Sequence, residues 1–101
     1  MATYRAPLAD MRFLLTDVFQ AESLFASMPD TAEVSEDLIN AIVDEAGKIA
    51  EGLLSPINQI GDQIGCKLEN GAVSTPEGFK QAYKAYAEGG WSGLTGDVNY
   101  G

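Results

Sequence analysis

A long run of apolar residues at helical spacing, in the middle of the chain, most constrains the fold. From Leu38 to Leu54 apolar residues recur three and four apart, which predicts about five helical turns. Ser35 precedes this run as an N-cap, and Glu36 and Asp37 place negative charge at the helix N-terminus. The polar stripe opposite is narrow, so the apolar arc is wider than a surface helix of a small bundle needs. The helix is therefore expected to be central in this domain or to pack partly on something outside the chain.

Two further helices are predicted before this one in the chain. Pro7 suits a first helical turn, and an apolar face continues to Phe19. A short helix over residues 22–28 is stopped by Pro29. Pro56 cannot donate a hydrogen bond to the carbonyl four residues earlier, so the long helix should end or kink there. Its apolar face then continues to Ile64 through a glycine-punctuated segment.

The C-terminal third begins with a turn signal. Asn70-Gly71 favours the two positive φ angles of a type I′ turn, which predicts a small β-hairpin near 66–74. Thr75-Pro76-Glu77 then has the pattern of an N-cap, a first helical residue and a first-turn acid. The helix that follows should end at Gly89-Gly90. The predicted fold class is all-α with one small hairpin.

Composition limits size and partners. The chain has 101 residues, 46% of them apolar, which is enough for one compact domain with a core but not for a second full domain. Six Lys and Arg against fifteen Asp and Glu give a net charge of −9, which argues against nucleic acids and anionic membranes. Residues 1–65 hold eleven acids and three bases, and therefore carry −8 of this charge. A solvated acidic surface is favoured over a docking patch for a basic partner.

Composition also narrows the chemistry and the compartment. The absence of histidine removes Ser-His-Asp and Cys-His nucleophile pairs and nearly every zinc site. The lone Cys66 cannot form an internal disulfide, so an oxidising compartment gains no support. No apolar run approaches the length of a signal-peptide core or a membrane span. The expected location is the cytoplasm.

A search for a catalytic, cofactor-binding or metal-binding set of residues predicts none. Asp97 and Asn99 have the spacing of two calcium ligands, but the next glycine falls one place early, so an irregular tail is favoured. Glu45 and Glu51 flank the apolar arc as conceivable general bases, although a solvated flank is the default interpretation. Cys66 has only Lys67 as a basic neighbour along the chain, which favours a small buried hydrophobe over a nucleophile.

Two binding hypotheses remain. The aromatic residues Tyr83, Tyr86 and Trp91 favour core packing, with a ligand pocket at an interface as the alternative. The candidates for such a pocket or interface are Trp91, Leu94 and Tyr100. Separately, a standalone acidic carrier or interaction module is conceivable, since Glu22-Ser23-Leu24 approximates the Asp-Ser-Leu of acyl carrier proteins. Glu replaces Asp there, and Pro29 interrupts the helix that should follow.

Several short motifs, in order along nearly the whole chain, together resemble the acyl-CoA dehydrogenase family. No single motif is specific, but their order and spacing are. The opening motif is similar to a longer bacterial subgroup that includes 3-(methylthio)propanoyl-CoA dehydrogenases. The motifs are Tyr4-Arg5-Ala6-Pro7-Leu8-x-Asp10-Met11-Arg12-Phe13, Glu45-Ala46-Gly47-Lys48, Leu54-Ser55-Pro56-Ile57-Asn58, Gly61-Asp62, Thr75-Pro76-x-Gly78-Phe79-Lys80-x-Ala82-Tyr83, Glu88-Gly89-Gly90-Trp91-x-Gly93-Leu94 and Tyr100-Gly101.

The resemblance implies that residues 1–34 are an N-terminal helical extension. Residues 35–101 would then be the N-terminal helical domain, truncated before a β-domain. Family members remove hydrogen from Cα and Cβ of an acyl-CoA, with FAD as hydride acceptor and an electron-transfer flavoprotein as electron acceptor. The resemblance places the flavin site and the catalytic glutamate in later domains, so no residue here takes those roles. The implied partners are those domains, the acyl-CoA and further copies in a homo-oligomer, with no nucleic acid or membrane.

Overall fold

The computed structural model describes residues 3–100 and is mainly helical, with one two-stranded hairpin. The prediction of an all-α fold with a small hairpin is confirmed. Gly101, which closes the last family motif, lies outside the described residues. The α-helices are α1 (Leu8–Arg12), α2 (Ala21–Ala26), α3 (Glu36–Ile49), α4 (Ser55–Ile64) and α5 (Phe79–Glu88). Phe13–Val18 and Ala50–Leu54 are π-helical, and Pro29–Thr31 and Trp91–Gly93 are 3₁₀ turns.

The chain divides into two compact units rather than forming the single compact domain that its composition predicts. Unit 1 is Met1–Glu51 and unit 2 is Gly52–Gly101. Each unit has about half the chain, which is too little to bury a large core of its own. The division falls within the π-helical segment Ala50–Leu54. The domain boundary expected after residue 34 comes from the resemblance and stays a prediction.

The hydrophobic core is smaller than the one that the composition would allow. Among the described residues, the buried hydrophobic side chains are Ala21 and Ile39 in unit 1 and Ala82 in unit 2. The chain exposes 7928 Å² of surface. Two separate compact chains, each with half the mass of this one, would together expose only about 6,600 Å² of surface. Apolar side chains that a core would cover therefore remain at the surface of both units.

The first helical segment of unit 1 departs from the regular helix predicted for it. After α1 the backbone widens, and the amide of Phe19 donates to the carbonyl of Leu14, five residues back, at 2.8 Å. Gln20 then takes a left-handed conformation with φ +49, which redirects the chain into α2. The hydroxyls of Ser27 and Thr31 donate to carbonyls at the end of α2, at 2.6 and 3.0 Å. These bonds pair carbonyls that would otherwise lack partners at the end of a helix. α2 therefore ends at Ala26, two residues before the end predicted at Met28.

The predicted start of the long helix is confirmed, but its α-helical part ends before Pro56, the residue at which the sequence predicts an end or a kink. Ser35 is the N-cap of α3, and its hydroxyl accepts the amide N–H of Leu38 at 3.2 Å. α3 ends at Ile49, and α4 begins at Ser55 with Pro56 in its first turn. Pro56 lacks an N–H and crowds the carbonyl four residues back. The wider π-helical turn just before it is one of the ways in which a helix accommodates such a residue.

The hairpin of unit 2 has the predicted turn. Asn70 and Gly71 have φ of +52 and +78, the two positive angles that a type I′ turn requires. They join two short antiparallel strands, β1 (Lys67–Glu69) and β2 (Ala72–Ser74). The paired residues are Lys67 with Ser74, Leu68 with Val73 and Glu69 with Ala72.

The predicted start of the last helix was wrong by three residues. α5 begins at Phe79, and the buried Pro76 lies in the turn before it, where its carbonyl accepts the Phe79 amide at 3.3 Å. The reason is Gly78, whose φ of +92 is incompatible with a right-handed helix. The predicted end is confirmed, because Gly89 caps α5 and Gly90 takes a left-handed φ of +77.

Candidate functional site

In unit 1, the N-terminal segment 6–12 is bound along one face of the long helix. That face consists of Asp44, Gly47 and Glu51, which we call the docking stripe. Residues three, four and seven apart lie on the same side of a helix, so these three positions form a continuous row. Each of them meets a different residue of the N-terminal segment.

Three contacts hold the segment on the docking stripe. A carboxylate oxygen of Glu51 accepts the backbone N–H of Ala6 at 2.8 Å. The side chain of Leu8 occupies the space above Gly47, where a Cβ would lie 3.1 and 3.3 Å from its two methyl carbons. The guanidinium of Arg12 forms an ion pair with Asp44. A glycine flanked by two carboxylates thus provides both room and polar anchors for the chain that lies across it.

Sequence reasoning missed the role of the docking stripe. Glu51 was weighed only as a general base or a solvated flank, whereas it binds a backbone amide. Glu45, the other candidate base, pairs instead with Lys48 at 2.6 Å on the exposed surface. The sequence does contain one indication of this contact, which is Gly47. A glycine inside a strong helical pattern often marks a position where another segment packs closely against the helix.

A groove of about 400 Å³ lies between the first helical segment and α3. Its only cationic side chain, Arg12, is already paired with Asp44, which leaves Asp17 and Glu36 as its remaining charges. A pyrophosphate would be repelled here, so the groove does not fit a flavin dinucleotide or the phosphates of coenzyme A. The lining residues are Ala9, Arg12, Phe13, Thr16, Asp17, Glu36 and Asn40.

A second groove, of about 130 Å³, contains the serine considered for a carrier arm. Ser23 is exposed within α2, which is only six residues long. The neighbouring Glu22 accepts the backbone N–H of Glu36 at 3.2 Å. The acidic residue before Ser23 therefore contacts the start of α3, where it complements the helix dipole.

In unit 2, the three pocket or interface candidates differ in exposure. Trp91 is half-buried and covers Gly89, where a Cβ would lie 2.8 Å from the indole ring. Leu94 and Tyr100 are 60% and 90% exposed. None of the three lines either of the grooves described above, and their role in a pocket stays a prediction. Tyr83, expected in the core, is 73% exposed, so that expectation was wrong.

The tail has local structure instead of a metal loop. The carboxylate of Asp97 accepts the backbone N–H of Asn99 at 2.9 Å, which makes a short turn. Within residues 3–100, no group of His, Cys, Asp and Glu side chains has the arrangement of a metal site. None of the helices described has both the length and the apolar character needed to cross a membrane.

Exposed apolar side chains are the most extensive chemical feature of both units. In unit 2, the exposed Ile60 and Ile64 lie four residues apart on one face of α4, and Leu53 is exposed in the π-helical segment before it. Large exposed apolar surfaces mark interaction sites. Unit 1 has its own set, which includes Phe13, Leu14, Val18, Phe19, Leu24, Met28 and Leu38. This surface is suited to packing against protein, not to acid–base chemistry.

Two curated proteins share this sequence pattern over most of the chain. The 3-methylmercaptopropionyl-CoA dehydrogenase of Ruegeria pomeroyi is 33% identical over 99 residues, which are 98% of this chain and 17% of that protein. The butyryl-CoA dehydrogenase of Syntrophomonas wolfei is 31% identical over 90 residues, 86% of this chain and 15% of that protein. No protein-family model matches the chain.

The chain therefore belongs with the acyl-CoA dehydrogenases, as a homologue of one segment of them. It spans about a sixth of the length of these two relatives. One of them carries the name of the bacterial subgroup that the opening motif resembles.

Proposed function

We propose that this chain is the N-terminal helical portion of an FAD-dependent acyl-CoA dehydrogenase, where it forms one wall of the acyl cleft. The observation that carries the proposal is the alignment of 98% of the chain with a short segment of 3-methylmercaptopropionyl-CoA dehydrogenase. The whole enzyme would remove hydrogen from Cα and Cβ of an acyl-CoA thioester and pass electrons to an electron-transfer flavoprotein. Its expected location is the cytoplasm, and its expected assembly is a homo-oligomer.

The exposed apolar side chains support a packing role. Side chains such as Leu53, Ile60 and Ile64 would be covered by other domains of the same enzyme, and their burial would exclude water from the adjoining cleft. The same requirement explains the wide apolar arc of α3. Residues of this chain would thus line the acyl cleft and exclude water from it, while other domains of the enzyme supply the reacting groups.

The charge of this chain also supports a packing role, with the cofactor and the coenzyme A phosphates bound elsewhere in the enzyme. FAD, when bound, would supply the hydride-accepting chemistry of the enzyme. The groove beside α3 carries Asp17 and Glu36 with a neutralised Arg12 and does not fit a phosphate-bearing group. Flavin and coenzyme A phosphates would therefore be bound by cationic groups outside this chain. We accordingly expect the chain by itself to be inactive.

The genomic sequence after the codon for Gly101 tests the proposal. An open frame that runs on into a β-rich, flavin-binding region would support it. The product of that frame should then reduce an electron acceptor with an acyl-CoA substrate, whereas the 101-residue chain should not. A stop codon directly after Gly101 would contradict the proposal and favour a standalone acidic helical carrier or interaction module.

The state of the chain in solution is a second test. Taken alone, the chain should self-associate or bind a hydrophobic dye, because it exposes apolar surface in both units. The full-length product of the same gene is the matched control and should bind less dye per molecule. A monomer in sedimentation with no dye binding would count against the packing role.

A further inference from the structure

The hairpin turn of unit 2 brings together the conditions for a spontaneous chemical change of the backbone. We propose that Asn70 is a modification site, at which its side-chain amide is lost and the chain isomerises to isoaspartate. This inference does not depend on the proposed function, since it uses only the chemistry of Asn70 and Gly71 and the exposure of the strands that hold them.

The reaction begins when the backbone nitrogen of Gly71 attacks Cγ of Asn70. The new N–Cγ bond closes a five-membered succinimide, the Gly71 nitrogen loses its proton to water, and the Cγ–Nδ2 bond breaks with release of ammonia. Water then opens the ring at one of its two carbonyls. Opening at Cγ gives aspartate at position 70, and opening at the backbone carbonyl gives isoaspartate, in which the chain continues through Cγ. No oxidant or reductant is required.

Gly71 removes the usual steric obstacle to ring closure. A residue with a side chain after the asparagine crowds its own backbone nitrogen, whereas glycine has no such group. In this structure a Cβ built on Gly71 would meet no atom within 4 Å apart from its chain neighbours, so no other part of the chain packs against this side of the turn. Both Asn70 and Gly71 are exposed, which admits the water that the second step consumes.

The hairpin holds the turn only weakly. Its strands have three residues each, and all six are exposed. The cross-strand pair Leu68 and Val73 is 72% and 68% exposed, so it gains little from burial. A two-stranded hairpin of this kind is marginal in water and opens readily. Opening frees the Asn70 backbone to rotate until the Gly71 nitrogen reaches Cγ.

The other three asparagines of the chain serve as internal controls. Asn40 lies in α3 with its side-chain oxygen buried, and Asn58 lies in α4, so helical hydrogen bonds hold both backbones. Asn99 is exposed in the tail but precedes Tyr100, whose side chain obstructs ring closure. Asn70 alone of these four combines exposure, a following glycine and a weakly held backbone.

Modification at Asn70 would alter the hairpin. Isoaspartate adds one methylene to the main chain between Glu69 and Ala72, which lie directly opposite each other. The two-residue turn can then no longer keep these residues in register. Either product also replaces a neutral amide by a carboxylate and makes an already acidic chain more negative.

The test is peptide mapping by mass spectrometry of the full chain, kept at mildly alkaline pH and body temperature. Isoaspartate is detected by methyl transfer from an isoaspartyl methyltransferase. The expected result is loss of the amide and appearance of isoaspartate in the peptide containing Asn70, with Asn40, Asn58 and Asn99 unchanged. An Asn70 that persists as long as Asn99 would overturn the proposal.

A matched variant assigns the signal. Asn70→Gly keeps a dipeptide that forms type I′ turns but has no side-chain amide. It should lose the methyl-accepting signal completely. An equal signal from this variant would show that the isoaspartate forms elsewhere and would overturn the assignment to Asn70.

Discussion

The two units hold their parts together in different ways. Unit 1 binds its N-terminal segment through carboxylates, with Glu51 on the Ala6 amide and Asp44 on Arg12. Unit 2 uses glycines that leave room for large side chains. Phe79 lies over Gly61, and Trp91 lies over Gly89, each where a Cβ would collide.

The two units also differ in net charge. Unit 1 has ten acidic and three basic residues, for a net charge of −7, whereas unit 2 has five and three, for −2. Half-exposed polar anchors are individually weak, because water competes for them. Close-packed contacts tolerate almost no added volume. Substitutions in unit 2 glycines should therefore cost more than loss of a polar anchor in unit 1.

The largest effect is expected for Gly61→Val in unit 2. The new Cβ would lie 2.9 Å from Phe79 Cε2 and closer still to Cζ, so the ring must move. Overpacking of this kind costs about 2–3 kcal/mol. The measurement is the urea midpoint of helical circular dichroism. Gly52→Val is the control, because its Cβ would meet nothing within 4 Å, and an equal loss in both variants would contradict the steric explanation.

Ser35→Ala removes the N-cap of α3 and should cost about 1 kcal/mol of stability. The cause is an unpaired Leu38 amide at the helix start. Ser35→Asp should retain most of the stability, since a carboxylate also accepts this N–H and suits the helix dipole. The same urea titration compares the three proteins. If Asp fails to rescue the Ala loss, the capping bond is not what stabilises the helix start.

Gly47→Ala tests whether unit 1 also depends on a space left by glycine. Alanine favours a helix over glycine by about 1 kcal/mol, but here its Cβ would press on the methyl groups of Leu8. We expect the gain to be small in the native background and to approach the full value after Leu8→Ala. A double-mutant cycle measures this coupling. The same gain in both backgrounds would show that Leu8 is not confined by Gly47.

The smallest effect is expected for the Arg12–Asp44 pair, whose side chains are 39% and 46% exposed. Exposed ion pairs contribute about 0.2–1 kcal/mol, and salt screens them. The cycle formed by Arg12→Gln and Asp44→Asn should give a coupling in this range that falls at high salt. A larger coupling that salt does not reduce would show that the polar anchors of unit 1 stabilise the fold as much as the packing contacts of unit 2 do.

Local signals in the sequence predicted the parts that depend on neighbouring residues. Ser35 caps its helix and Asn70-Gly71 forms its turn, because each effect acts within three residues along the chain. The start of α5 was not predictable in this way. Thr75-Pro76-Glu77 is a good helix start in isolation, but Gly78 has a φ of +92 and lies where a Cβ would approach Ile57 to 2.8 Å.

The candidate site was less predictable than the fold. Glu51 and Gly47 look like an ordinary flank and a weak point in a helix until the N-terminal segment lies across them. Trp91 looks like a core residue or a pocket residue, and its actual neighbour is the glycine two positions before it. The side chain that fills the space above a glycine can come from another segment, and the residues around the glycine do not show which segment that is.

By itself, the sequence determined the helical class, the N-cap of α3, the C-terminal end of α5, the hairpin turn and the motif order shared with acyl-CoA dehydrogenases. These properties follow from short-range hydrogen bonding and backbone sterics, which a few consecutive residues specify. Only the tertiary structure decided that the chain forms two units, that its carboxylates anchor the N-terminal segment, and that its apolar arcs stay largely uncovered. Those properties depend on which surfaces meet in space, and burial is a property of contacts between elements that no single element encodes.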